Sequence, residues 1–219
     1  MQKLVALGAL VVLLTGCAIG RTANYRGALP LSVSRVDGHP SVVVAVQDQR
    51  PYVLNGRKWD TYVGTQRSIA RVPWNMRTAS GRPLASEIGE DITAGLVSAG
   101  FNAHQLSVTP QQGDDDVLVG ARSLSPGSKI YHFRITEWCN DIWFIPTLSY
   151  CIELMVKDAN GTMRAHKSAC GKQDLGSDKP GFENLTKALA TILDSLINAN
   201  EVKSALRNGI AETSPNICT

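Results

Sequence analysis

An apolar run from Leu4 to Leu14, singly scattered apolar residues as far as Pro40, and strand and helix patterns up to residue 207 divide this chain. Ser41 opens the β-branched run Val42-Val43-Val44-Ala45-Val46, the pattern of a central strand covered on both faces. It ends in Gln47-Asp48-Gln49-Arg50-Pro51, where the proline stops ladder pairing. Thr61–Gly64 and Ser68–Val72 read as two short strands of a hairpin or lid-like excursion. Leu84, Ile88, Ile92 and Leu96 then recur every four residues, predicting a long helix with one apolar stripe. Pro83 suits its first turn, Glu87, Glu90 and Asp91 suit its N-terminal half, and Gly100 ends it. Phe101–Val108 reads as a short strand and Gln111–Asp116 as a polar loop. Val117–Leu124 fits a strand by alternation and a helix by its 3.6 period, and both stay open. Three strands follow, Lys129–Trp138, Leu148–Lys157 and Met163–Cys170, the last two joined through Asp158-Ala159-Asn160-Gly161. Leu185, Leu189, Ile192, Leu193, Leu196 and Ile197 predict a second long helix from Pro180, and Asn200 N-caps a short third.

This order predicts an α+β domain over residues 41–207, a single mixed β-sheet with two long helices packed on one face. A doubly wound fold would need more crossover helices. Gly209 and Pro215 mark residues 208–219 as a C-terminal tail.

The first segment has the order of a secretory signal: Lys3, the short apolar run, then small residues. It falls short of the ~20 apolar residues that a spanning helix needs. Its ending, Leu14-Thr15-Gly16-Cys17, resembles the lipobox of bacterial lipoproteins. That resemblance implies removal of residues 1–16 and acyl chains (palmitate among them) on Cys17. With Ala18 in second place, it also implies an outer-membrane anchor facing the periplasm. Residues 17–40 carry Gly20, Gly27, Pro30, Gly38 and Pro40 and read as the lipidated cysteine and a flexible tether. The net charge of +3 loses one unit with Lys3, which leaves no case for nucleic acid as a partner.

Further residues carry a family likeness. The lipobox, the strand ending in Asp48-Gln49-Arg50, the helix ending in Gly100-Phe101, the strand hairpin and the Leu-rich last helix resemble YajG-type bacterial lipoproteins. The order of elements is also similar to the broader group of small periplasmic α+β lipoproteins that includes LpoB and LptE. Trp138-Cys139-Asn140-Asp141-Ile142-Trp143 and the extra cysteines depart from the pattern. The resemblance implies a non-enzymatic envelope lipoprotein and transfers no catalytic residue.

Candidate chemistry is sparse. His39, His104, His132 and His166 lack metal-ligand spacing, and no cofactor motif or phosphate loop occurs. His166 and Cys170 could share a strand face, but an oxidising compartment disfavours a free thiol there. Asp48 and Arg50 read first as an exposed ion pair closing a loop, and second as a polar site at the sheet edge. Asp114-Asp115-Asp116 reads as a solvated turn, because the spacing of a calcium loop is missing. Trp138, Trp143 and Phe144 are the candidate partner-binding surface, with capping of the open core as the alternative.

Beyond Cys17 there are four cysteines, which suggests disulfides in an exported chain. A two-residue turn at Asn160-Gly161 sets Val156 against Ala165, Glu153 against Ser168 and Cys151 against Cys170. A three-residue loop slips the register by one and puts the two cysteines on opposite faces. The side-chain pattern favours the first, leaving Cys139 and Cys218 as a second pair. The functional expectation is a membrane-anchored binding or scaffold lipoprotein, without catalytic activity, docking an envelope protein or glycan. The alternative is a structural component of a secretion or envelope-assembly complex, where homo-oligomerisation is the function. An enzyme acting on envelope glycan or peptide stands third.

Overall fold

The computed structural model describes residues 22–25, 31–35, 38–176 and 181–207, with side chains at 184–206 in the last stretch. Its spine is β6 (Lys129–Ile142), fourteen residues long. One edge of β6 pairs antiparallel with β7 (Thr147–Lys157), which pairs antiparallel with β8 (Met163–Asp174). The other edge is shared by two parallel partners. β2 (Ser41–Asp48) lies beside residues 129–135, and β3 (Tyr62–Arg67) beside residues 140–142. β5 (Asn102–Leu106) flanks β2, β4 (Pro73–Thr78) flanks β3, and β1 (Thr22–Ala23) flanks β4. With five described helices, the first of them the short α1 (Pro51–Leu54), this is a mixed α+β fold.

β2 sits inside the sheet with both faces covered, as its unbroken run requires. Val42, Val44 and Val46 share a core with Leu84, Ile88, Ile92 and Leu96 of α2 (Leu84–Ser98). Val43 points the other way, with Ile130 and Ala121 of α3 (Asp114–Leu124). Burying each such side chain contributes about 1.5–3 kcal/mol. The chain leaves β2 through α1, β3 and β4 and returns along α2 to β5, then crosses through α3 to β6 on the other side of β2. A doubly wound element, excluded from the sequence for want of crossover helices, is therefore present. Val117–Leu124 supplies the missing helix. Asp116 accepts from the backbone N–H of Gly113 at 3.1 Å, and Asp114 pairs with Arg134 and, at 2.8 Å, Lys157. The three acids are thus the first turn of a helix.

α2 ends as Gly100 requires, with φ of 95°. The N–H of Phe101 bonds to Leu96 and that of Gly100 to Val97, both at 3.0 Å, which closes a Schellman motif. The stripes of α4 (Gly181–Ile197) and α5 (Asn200–Arg207), Leu185, Leu189, Ile192, Leu193, Leu196, Val202 and Leu206, belong to the same core cluster as Leu154, Val156 and Ala165.

Three expectations are corrected. Ser68–Val72 is a turn, not a strand: the Val72 N–H bonds to Ser68 Oγ, and Arg71 takes a φ of 62°. The strand follows it, with Pro73 at its first position, where a ladder tolerates proline. Within the segment read as tether, Thr22–Ala23 join the sheet and Tyr25 is fully buried. Ser32 accepts a place on α4, its N–H bonding to Asp194 at 2.9 Å. The β7–β8 hairpin has the favoured register, Cys151 opposite Cys170 and Val156 opposite Ala165, reached by another route. Its turn is the rival longer loop, with Asp158 bonded to Thr162, and a bulge after Val156 restores the alignment.

Candidate functional site

The cleft of interest opens at the carboxyl ends of β2 and β5, beside the first turn of α2, and encloses about 270 Å³. Ligands of open sheets bind where consecutive crossovers diverge to opposite sides, and β2 is that strand here. Val46, Asp60, Ser86, Gln105, Ser107 and Thr109 line it, a mixture of amide, hydroxyl and carboxylate groups over a small apolar floor. Gln105 Nε2 donates to the Ser86 carbonyl at 3.1 Å. It can lie that low on α2 because position 89 is glycine, where a Cβ would fall 2.4 Å from Gln105 Nε2.

Beneath the cleft, Asp48 and Arg50 form an ion pair at 2.6 Å, with 2% and 0% of their side chains exposed. The exposed pair expected from the sequence is thus a buried one. Arg50 uses every N–H it has. Nε and Nη2 donate to Asp48, Nη1 to the carbonyls of Tyr62 and Trp138, and Nη2 also to that of Asp60. Burial lowers the guanidinium's pKa, but the bond and charge of Asp48 outweigh it and hold the group above its ordinary value. The pair ties β2, β3 and β6 together, a structural clamp.

On the other face, the Gln47 amide holds the far wall of the cleft. Its Nε2 donates to the carbonyls of Thr109, Pro110 and Gln112 at 3.1, 3.3 and 2.7 Å. That fixes the amide oxygen toward His132 Nε2, 3.2 Å away, and selects the tautomer with its proton on Nε2. His132 is fully buried, and burial, reinforced by the nearby charge of Arg134, depresses its pKa to about 4. It is therefore neutral at physiological pH.

The remaining sequence candidates separate. Cys151 and Cys170 are joined in a disulfide, which takes Cys170 out of any pairing with His166 as a nucleophile. Cys139 forms no disulfide among the described residues and lies 3.8 Å from the Tyr62 hydroxyl; the expected pair with Cys218 falls outside the described residues, as does Cys17. Trp138 is fully buried and donates from Nε1 to the Tyr25 hydroxyl at 2.9 Å, so it belongs to the core, not to a contact surface. Trp143 and Phe144 project from the β6–β7 turn, 4.4 Å apart, with the Arg71 guanidinium 4.3 Å from the Trp143 ring. Ile69 and Val72 stand exposed on the adjacent β3–β4 turn, their role hidden while that turn read as a strand. Gln47, Tyr25 and Gln105 were not singled out in the sequence; an isolated amide or phenol carries no spacing signal.

Among the described residues, no three His, Cys, Asp or Glu side chains are grouped to hold a metal ion, and no helix is long and apolar enough to cross a membrane.

No family model matches the chain, and no curated protein does. Solved structures show distant likeness in arrangement. The protein XCC0632 of Xanthomonas campestris, from family DUF330, is 8% identical with a TM-score of 0.43, over 86% of this chain and 94% of that one. Lipoprotein GNA1162 of Neisseria meningitidis is 10% identical with a TM-score of 0.40, over 73% and 99%. PelC of Paraburkholderia phytofirmans, solved as a dodecamer, is 17% identical with a TM-score of 0.39, over 73% and 87%. Likeness at this distance transfers neither an activity nor an assembly state. The YajG-type resemblance remains a reading of the sequence.

Proposed function

We propose that this protein is a lipid-anchored, non-catalytic binding module of the bacterial envelope. Cys17 holds it to the outer membrane, and the cleft at the ends of β2 and β5 takes a partner protein segment or a glycan. The observation that supports this reading is the division of labour around the cleft. Its lining offers amide and hydroxyl groups suited to hydrogen-bonded ligands. Of the titratable groups nearby, Asp48 is held by Arg50 and His132 is neutral in the core, while Asp60 lines the cleft as a further hydrogen-bond acceptor; Cys170, away on β8, is held in a disulfide. A polar recess without a poised reactive group fits recognition better than turnover.

The test is in-cell crosslinking of the full-length chain followed by affinity recovery. Ser107→Trp, which fills the cleft, should remove the crosslinked partner. Val119→Trp, on the exposed side of α3, should keep it. Equal recovery from both variants would overturn the assignment of the cleft.

One observation favours the structural alternative. Among the described residues, the twelve-residue β8 pairs with β7 alone and its second half is largely exposed, an edge that a second copy could extend. Sedimentation of the full chain at increasing concentration distinguishes the readings, since a stable ring or dimer would support assembly as the function.

A further inference from the structure

We propose that the paired tips of the β3–β4 and β6–β7 hairpins dip into the lipid interface of the same membrane that holds Cys17. The inference rests on lipidation of Cys17 and deepens that reading by fixing how the domain is oriented.

The exposed apolar surface is concentrated in one place. Of eleven large apolar side chains exposed among the described residues, five stand on these two turns: Ile69, Val72, Trp143, Phe144 and Ile145. Ile69 is 93% exposed and Phe144 70%. The turns are neighbours because β3 pairs with β6, Gln66 opposite Ile142, so both hairpins end at the same level. Arginine accompanies the apolar groups. Arg71 lies over Trp143, and Arg67 forks onto Asp141 at 2.9 Å. Tryptophan beside arginine suits the zone between headgroups and acyl chains, where an apolar body and a polar end are both satisfied.

The path of the chain selects the bilayer as the occupant. β4 begins at the tip with Pro73 and runs away from it. β1 runs parallel to β4, with Thr22 opposite Arg77 and Ala23 opposite Thr78, so the chain reaches β1 from the tip side. Beyond Ala23 it turns into the core through Tyr25. Only the five residues before Thr22 are left to span to Cys17, and five residues reach at most about 18 Å. From Arg77 back to Pro73 is four strand steps, roughly 13 Å, which that length covers. Thr22 lies opposite Arg77, which faces Tyr62 at about the level of Trp138 on β6, so the opposite end of the sheet at Lys129 is about nine steps away, roughly 30 Å, and beyond that reach. Of the two ends of the sheet, the span before Thr22 brings Cys17 only to the one that carries the apolar tip.

The experiment uses the purified full-length chain, with Cys17 acylation checked by mass spectrometry, in phosphatidylethanolamine–phosphatidylglycerol vesicles with and without brominated acyl chains. Brominated lipid should quench tryptophan emission of the wild-type chain. Trp143→Phe combined with Trp74→Phe, the tryptophan beside Pro73 at the same tip, should lose that quenching, and Trp59→Phe should keep it. Ile69→Asp combined with Phe144→Asp, both exposed and so compatible with folding, should shield Trp143 from the quencher at an unchanged thermal midpoint. Acylated protein whose emission is not quenched, or whose quenching survives the joint Trp143→Phe and Trp74→Phe change, would overturn the orientation while leaving the anchor intact. A chain with unmodified Cys17 would overturn the anchor and the orientation together.

Discussion

Replacing Arg50 by methionine removes a guanidinium that is 0% exposed and leaves the Asp48 carboxylate, 2% exposed, without its counter-charge. It also strips a donor from the carbonyls of Asp60 and Tyr62, at the start of β3, and of Trp138 in β6. Breaking a buried pair by deleting one partner costs about 3–5 kcal/mol, because the survivor stays buried and charged. Trp138 is partly protected, since its carbonyl also accepts from the Tyr52 hydroxyl at 2.7 Å. Against a typical domain stability of about 5–15 kcal/mol, the loss is a large fraction and corresponds to a fall in Tm of roughly 10 °C. Arg50→Lys should recover only part of it, because an ammonium keeps the charge but offers three donors in place of five. The assay is urea unfolding of the full-length oxidised chain, followed by tryptophan fluorescence. Adding Asp48→Asn to Arg50→Met should cost less than the two single changes summed, a coupling that a double-mutant cycle reads directly. A cost below about 1 kcal/mol for Arg50→Met would refute the clamp, for that is the range of an exposed ion pair.

Three further outcomes are expected. Because the folded pKa of His132 lies near 4, below the unfolded value of 6.5, its contribution is fully present above pH 6.5 and is lost as pH falls toward 4. The loss is about 3 kcal/mol in all, and His132→Gln should flatten that part of the stability–pH curve measured by thermal melts. Gly64→Ala should destabilise by about 1–3 kcal/mol, since an added Cβ would lie 2.1 Å from the Asn140 carbonyl oxygen where β3 meets β6; an unchanged midpoint would disprove that close approach. A non-reducing tryptic digest should recover Cys151 joined to Cys170, and Cys170→Ser should cost on the order of 3 kcal/mol.

How much of this was legible follows from what each element's pattern could express. The two long helices carry whole stripes and end signals, so their positions were readable to within a turn. α3 was not, because Val117, Val119 and Ala121 alternate like a strand while Val117, Leu118, Ala121 and Leu124 fit a helix turn, and only packing against Val43 and Ile130 decides. The burial of Trp138 was hidden by one irregularity. Tyr131, Phe133 and Ile135 face the main core by strict alternation, which would send Trp138 outward. A bulge between Ile135 and Glu137 shifts the phase by one residue and turns Trp138 inward. The cleft was invisible for another reason: its lining comes from four separate segments joined only by sheet order. The cysteine pairing was right although the turn was not, because the apolar faces of β7 and β8 set the register and the bulge absorbed the extra loop residue.

The same sheet order relates the cleft to the membrane. Asp48, at the floor of the cleft, pairs with Ile135, and the tip begins after Ile142 on the same strand. Seven strand steps separate them, roughly 23 Å along β6. If the tip rests in the lipid interface, the cleft stands clear of the headgroups by about that distance. On that proposed orientation, the five residues before Thr22 limit how far the cleft can stand from the leaflet, and a partner that is itself membrane-bound must present its contacting segment at that height. Lengthening the span before Thr22 with a flexible Gly-Ser insert should then weaken capture of such a partner while leaving the fold untouched. Capture that is indifferent to the insert would mean that the ligand comes to the cleft from free solution.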